Sequence, residues 1–163
     1  MGGSAQRLAR ARALESMVRE LAREEILPRY LKTARKRKAD GSLFTEADVE
    51  SQRRLVAALP HLMPGPVLGE EMTAAAQAEL WQNGRRGMWC IDPIDGTTNF
   101  ANGLPFFAVA VAYLVEHQPV LGVVYNPVTD ESFYAAKGAG AFLNGFELPL
   151  RRPAGRLADA VAG

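Results

Sequence analysis

The chain has 163 residues, a single cysteine and a net charge of +1, with 48% hydrophobic and 23% charged residues. This mixture excludes a disordered chain, a disulfide-stapled mini-domain and a Cys-based zinc cage, and it leaves room for one domain that buries about two thirds of its unfolded surface. The lone Cys90 suits a reducing compartment, and the longest apolar run, Phe106 to Val115, is about half of what a bilayer span needs. With no apolar stretch of a secretory signal at the start, the expectation is a cytoplasmic protein without a membrane segment.

In chain order, Leu8, Ala11, Leu14, Met17, Val18, Leu21 and Ala22 recur at spacings of three and four, which predicts an amphipathic helix over residues 5 to 27, ended or bent near Pro28. Residues 5 to 38 hold eleven Lys and Arg against four Glu, whereas residues 39 to 163 hold eight against fourteen acids. The first part is therefore +7 and the remainder −6. No aromatic residues interleave the run Arg35 to Lys38, so it is expected to be a solvated surface segment rather than a nucleic-acid interface.

A second helix is expected after Thr45, whose side chain can cap the first turn. Glu46, Asp48 and Glu50 suit the positive helix end, Val49, Val56 and Leu59 give an apolar stripe, and Pro60, Pro64 and Pro66 close it. Val67-Leu68 is a short apolar stretch at a strand end, followed by Gly69-Glu70-Glu71 and a helix toward Leu80. From Trp89 the pattern changes to apolar runs separated by turns: Trp89 to Ile91, Phe106 to Val115, Val120 to Tyr125, Ser132 to Ala136 and Ala141 to Leu143. The connections are short, and Asn144-Gly145 is a favoured hairpin pair, so these strands should be antiparallel neighbours. The fold class is therefore α+β, with two N-terminal helices packed on one face of a largely antiparallel sheet.

Asp92-Pro93-Ile94-Asp95-Gly96-Thr97-Thr98-Asn99 carries the chemistry. Two acids three residues apart can converge on one hard cation or bridge a pair, with peptide carbonyls as further ligands. Gly96 allows close backbone approach, and successive amides at such a turn can form an anion-binding concavity for phosphate. Asp-Pro and Asp-Gly are also ordinary turn formers, and Glu pairs are often solvated. Asp48, three residues after Thr45, also resembles the far member of a capping box. For the longer string chance is a poor account, because six fixed residue types in eight positions arise at a given start about once in 10⁷ to 10⁸ trials.

Lys38-Ala39-Asp40-Gly41-Ser42, Thr45-Glu46-Ala47-Asp48, Gly69-Glu70-Glu71 and Asp92 to Phe100 come in an order that resembles the inositol monophosphatase family. Gly122 to Pro127 and Lys137 to Gly145 are similar to the same family's N-terminal domain. The resemblance implies the N-terminal half of a layered α-β-α-β-α sugar phosphatase fold, with residues 5 to 153 as a metal- and phosphate-binding domain and residues 154 to 163 as a linker or the start of a C-terminal domain. It further implies a Mg²⁺-dependent, lithium-sensitive phosphatase, with Mn²⁺ as a substitute metal, acting as a homodimer on a small phosphorylated substrate. The group also includes enzymes for fructose bisphosphate, histidinol phosphate and phosphoadenosine phosphate.

By the same resemblance, Glu70, Asp92 and the Ile94 carbonyl hold a first Mg²⁺, and Asp92 and Asp95 contribute to a second. Thr97 contacts the attacking water, Asp48 accepts a proton from Thr97 or orients it, and the Gly96 and Thr97 amides hold phosphate oxygens. The family's later Trp-Asp-x-Ala signature, which completes the second metal site, has no match here. Trp81 and Trp89 are followed by Gln82 and Cys90, and the segment Asp159 to Gly163 lacks the tryptophan.

Overall fold

A computed structural model describes residues 3–32, 36–37, 43–70 and 72–149. The first helix, α1 (Ser4–Leu21), runs directly into a wider π turn over Ala22–Ile26, so the helical path reaches the expected length in two geometries. Lys36–Arg37 (β1) and Leu43–Phe44 (β2) form an antiparallel pair; Arg35, Lys38 and the 38–42 motif lie outside the described residues. The next helix, α2 (Glu46–Leu62), passes through Pro60 before it ends at Met63. Pro60 has no amide to donate to the Val56 carbonyl, and the helix ends two residues later.

Seven strands form one sheet in sequence order. They are β3 (Val67–Gly69), β4 (Met88–Asp95), β5 (Ala108–Val115), β6 (Gln118–Asn126), β7 (Glu131–Ala136), β8 (Ala141–Leu143) and β9 (Phe146–Glu147). Two further helices, α3 (Ala74–Asn83) and α4 (Thr97–Asn102), flank β4 in the chain. All pairs from β4 to β9 are antiparallel, whereas β3 runs parallel to β4. The hairpin at Asn144-Gly145 has both residues at positive φ, 48° and 88°, as a two-residue turn that follows strand twist requires. Residues 154 to 163, the expected linker, lie outside the described residues.

The apolar stripe of α1, Ala11, Leu14, Val18 and Leu21, lies over β6 and β7, while Leu55 and Leu59 of α2 lie over β4. They meet Trp89, Ile91, Val109, Val111, Leu121, Val123 and Tyr134 in one core. Although β5 is apolar throughout, only alternate residues face the helices over most of its length; Ala108, Ala110 and Ala112 point to the opposite side. Ala110 and Ala112, with Cys90, Gly122, Ala135 and the half-exposed Val124 and Phe133, floor an open trough of about 890 Å³.

Arg19 ties α1 to the far end of the sheet. Its guanidinium donates to Glu15, Asp130 and Asn144 and stacks 4.8 Å above the Tyr125 ring. The loop that leaves α2 is held to the core by two side-chain donors, Trp89 Nε1 to the Met63 carbonyl at 3.0 Å and Tyr113 Oη to the Pro64 carbonyl at 2.7 Å. Gly87 faces the tyrosine at φ 153°, where an added Cβ would stand 2.0 Å from Tyr113 Oη. Tyr113→Phe is therefore expected to cost about 1 kcal/mol of unfolding free energy and Gly87→Ala about 3 kcal/mol or more. Thermal or urea denaturation checks the order, and an equal loss in the two variants would remove the steric account of Gly87.

Candidate active site

Local sequence fixes where β4 bends. Pro93 has no amide to donate, and the ladder steps from Asp92 opposite Ala110 to Asp95 opposite Ala108, leaving one extra residue on β4. Trp89 to Ile91 was expected as a strand with a turn beyond it; the strand instead continues through this bulge to Asp95. Gly96 then takes a left-handed conformation, φ 89° and ψ 37°, at the N-cap of α4. An added Cβ there would meet the Phe106 carbonyl oxygen at 3.0 Å, so the turn needs glycine for both conformation and space. Helix α4, which the periodicity of six residues could not announce, is anchored by Phe100 against Tyr30 and Phe107.

The buried Asp48 stands at the start of α2 with 2% of its surface exposed. The Thr45 amide and hydroxyl both donate to its Oδ2, at 2.7 and 2.6 Å, which leaves Oδ1 to accept from Thr97 Oγ1 at 3.1 Å. The cap expected from Thr45 is thus present, and its acid points at the β4–α4 turn. Burial pushes the Asp48 carboxyl above the ordinary aspartate range, and the hydrogen bonds from Thr45 and Thr97 oppose that rise. Thr97 Oγ1 also lies 3.0 Å from the Ile94 carbonyl, so one hydroxyl proton faces two acceptors.

Glu70 follows the last β3 residue, and because Gly69 pairs with Ile91 in parallel register, Glu70 leaves its strand beside Asp92. Asp92 is half-buried and pushed up to about 6, first by burial and then by the charges of Glu70, Asp95 and Asp48; the Ile94 amide, donating to its Oδ1 at 3.1 Å, works the other way. Cys90, two residues earlier on the same face, is also raised by burial and by Asp92, which leaves it a poor nucleophile. Glu71 lies outside the described residues.

The turn therefore collects Asp48, Glu70, Asp92, Ile94, Asp95, Gly96 and Thr97 at one end of the sheet. Oxygen donors alone suit a hard divalent cation. Among the described residues no three carboxylate, imidazole or thiolate groups close on one point. Carboxylate and carbonyl oxygens are the donor types that Mg²⁺ takes, typically one or two carboxylates together with waters. Two contributors escaped the sequence. Gln77 of α3 donates to the Gly69 and Glu70 carbonyls, and the Gln52 side chain packs against Gly69, where a Cβ would meet its Oε1 at 2.5 Å. A glutamine in a helix carries no periodic or turn signal that would have singled out either.

A family model described as the inositol monophosphatase family matches residues 5–161. Inositol monophosphatase 2 of Solanum lycopersicum is 44% identical over 104 residues, 63% of this chain and 39% of its own length. A solved IMPase of Thermotoga maritima superposes with a TM-score of 0.72 at 30% identity, over 85% of this chain and 52% of that one. A solved IMPase/NADP phosphatase complexed with Mg²⁺ and phosphate gives a TM-score of 0.70 at 26% identity, over 83% and 51%. The chain thus spans about two fifths to one half of the length of these relatives.

Because Asp92 titrates near 6 in the fold against an ordinary value near 4, its neutral form is the one the metal-free fold favours. The resulting stability is present below about pH 4 and is lost as pH rises through about 6. Asp92→Asn should therefore stabilise the metal-free chain at pH 8 by about 1 to 2 kcal/mol, water around the half-buried group moderating the gain, and by nothing measurable at pH 4. Denaturation in chelator at the two pH values checks this, and a destabilised Asn variant at pH 8 would count against the crowding of acids around Asp92.

Proposed function

The chain belongs to the inositol monophosphatase family, and from that footing we propose that it supplies the metal- and phosphate-binding part of a Mg²⁺-dependent phosphomonoesterase for a small phosphorylated polyol or sugar. The observation that carries the reading is the Thr97–Asp48 hydrogen bond set directly beside the acids Glu70, Asp92 and Asp95. A solved relative holding Mg²⁺ and phosphate supports the choice of cation and of ligand class. A metal- and phosphate-binding domain over residues 5 to 153, with residues 154 to 163 as a linker or the start of a C-terminal domain, is part of this reading; the family match itself runs over residues 5–161. A homodimer in the cytoplasm is part of the same reading, supported by the resemblance and the single thiol; among the described residues no helix is long and apolar enough to cross a membrane.

Glu70 and Asp92 with the Ile94 carbonyl would hold one Mg²⁺, and Asp92 and Asp95 would contribute to another. When bound, the metal supplies positive charge that lowers the pKa of water and offsets the charge on phosphoryl oxygens. Each remaining step belongs to this chain. Asp48 Oδ2 is saturated by Thr45, so Oδ1 is its working acceptor. With its proton given to Asp48, Thr97 Oγ1 presents lone pairs to a water and orients it toward phosphorus. As that water loses a proton, Thr97 and Asp48 form the path that can receive it. The amides of Gly96 and Thr97 hold phosphate oxygens, and no covalent protein nucleophile is needed.

Calorimetric titration with Mn²⁺ tests the metal arm: Asp92→Asn should lose at least about tenfold in affinity, and Thr97→Ala should stay within about threefold. Equal affinity in Asp92→Asn would remove Asp92 from the metal role. In a chain completed to family length, Thr97→Ala should lower turnover by about 10² to 10⁴. The 163 residues by themselves support a second reading, a metal-binding domain with little turnover, since the chain spans about half of a solved relative. Assayed with Mg²⁺ on inositol monophosphate beside a full-length relative, they should be far slower. Turnover within about tenfold, or about 1.4 kcal/mol in barrier, would overturn that second reading.

A further inference from the structure

Helix α3 buries none of its residues, so core packing does not hold it in place. Two contacts between Gly69 and Met72 span the Glu70 turn between β3 and α3. The Met72 amide reaches the Gly69 carbonyl only at 3.4 Å, and the Gly69 amide donates to the Met72 thioether at 3.4 Å. Thr73 caps α3, its hydroxyl oxygen accepting from the Ala76 amide at 3.3 Å, and its carbonyl accepts from the Gln77 amide at 2.9 Å. That backbone bond fixes Gln77 one turn into the helix, with its side chain directed back at the turn.

From there Gln77 Nε2 donates to the Gly69 carbonyl at 2.9 Å and to the Glu70 carbonyl at 3.3 Å. These carbonyls belong to the two peptide planes on either side of the Glu70 Cα. The orientation of the first plane sets φ of Glu70 and that of the second sets ψ, and together they set the direction of its Cα–Cβ bond. We infer that Gln77 is a positioning residue: its carboxamide clamps the peptide planes that bracket Glu70 and thereby aims the Glu70 carboxylate toward the cation shared with Asp92. The inference rests on the metal reading above and adds to it a group that touches no metal.

Mn²⁺ affinity of the 163-residue chain and its melting temperature in chelator test the assignment. Gln77→Met keeps length and helix propensity but removes the donor; it should weaken Mn²⁺ binding about tenfold at a temperature well below unfolding, with little change in metal-free melting. Gln77→Lys, which restores a donor of similar reach, should recover most of the affinity. The decisive comparison is with Glu70→Gln: if Gln77 acts through Glu70, adding Gln77→Met to that variant changes affinity no further. Wild-type affinity in Gln77→Met, equal loss in Gln77→Lys, or additive losses in the double variant would each overturn the assignment while leaving the metal site standing. Absence of Mn²⁺ binding by the wild-type chain would instead remove the metal reading and this inference with it.

Discussion

The site depends on one pairing, the parallel alignment of β3 with β4. Every other neighbour in the seven-stranded sheet is antiparallel, and an antiparallel β3 would carry Glu70 out at the opposite end from Asp92. Parallel strands need a crossover, which the turn at Glu70 and the surface helix α3 provide. The arrangement brings like charges together, and Asp92 is raised first by burial and then by those neighbouring acids.

Much of this was legible because the strands are bounded by strong turn chemistry. Asn144-Gly145, the short links between β5 and β8, and the Asp92 to Asn99 string all mark their own places. The pairing of β3 was not legible, since three residues with two apolar side chains cannot specify a neighbour, and the partner lies beyond an intervening helix. Pro93 suggested that the strand stopped at Ile91, but a bulge lets the chain pass a missing donor and continue. Pro60 was expected to close α2 and instead sits within its last turn. Gln77 and Gln52 were silent for another reason: an amide's role depends on which carbonyls it meets, and that is decided by tertiary structure.

Asp48 shows how one residue can serve two levels of organisation. At the helix start its carboxylate satisfies the Thr45 amide, a local need of any N-terminus. Because Thr45 occupies Oδ2 twice, the second oxygen is left with a fixed direction, and Thr97 lies along it at 3.1 Å. The helix cap therefore sets the direction of an oxygen that reaches across the sheet end to Thr97, and a loss of the cap would be felt first as a misdirected oxygen.

The open trough on the second face of the sheet has a bearing on the cation as well. Asp92 lines it together with Cys90 and the small side chains of β5 and β6. Any surface laid over that floor would displace water and lower the permittivity around Asp92, which is costly for a bare carboxylate and much less so for one already paired with a positive ion. On the proposed metal reading, occupancy of the cation site and coverage of the trough would be linked equilibria, each favouring the other to the same degree.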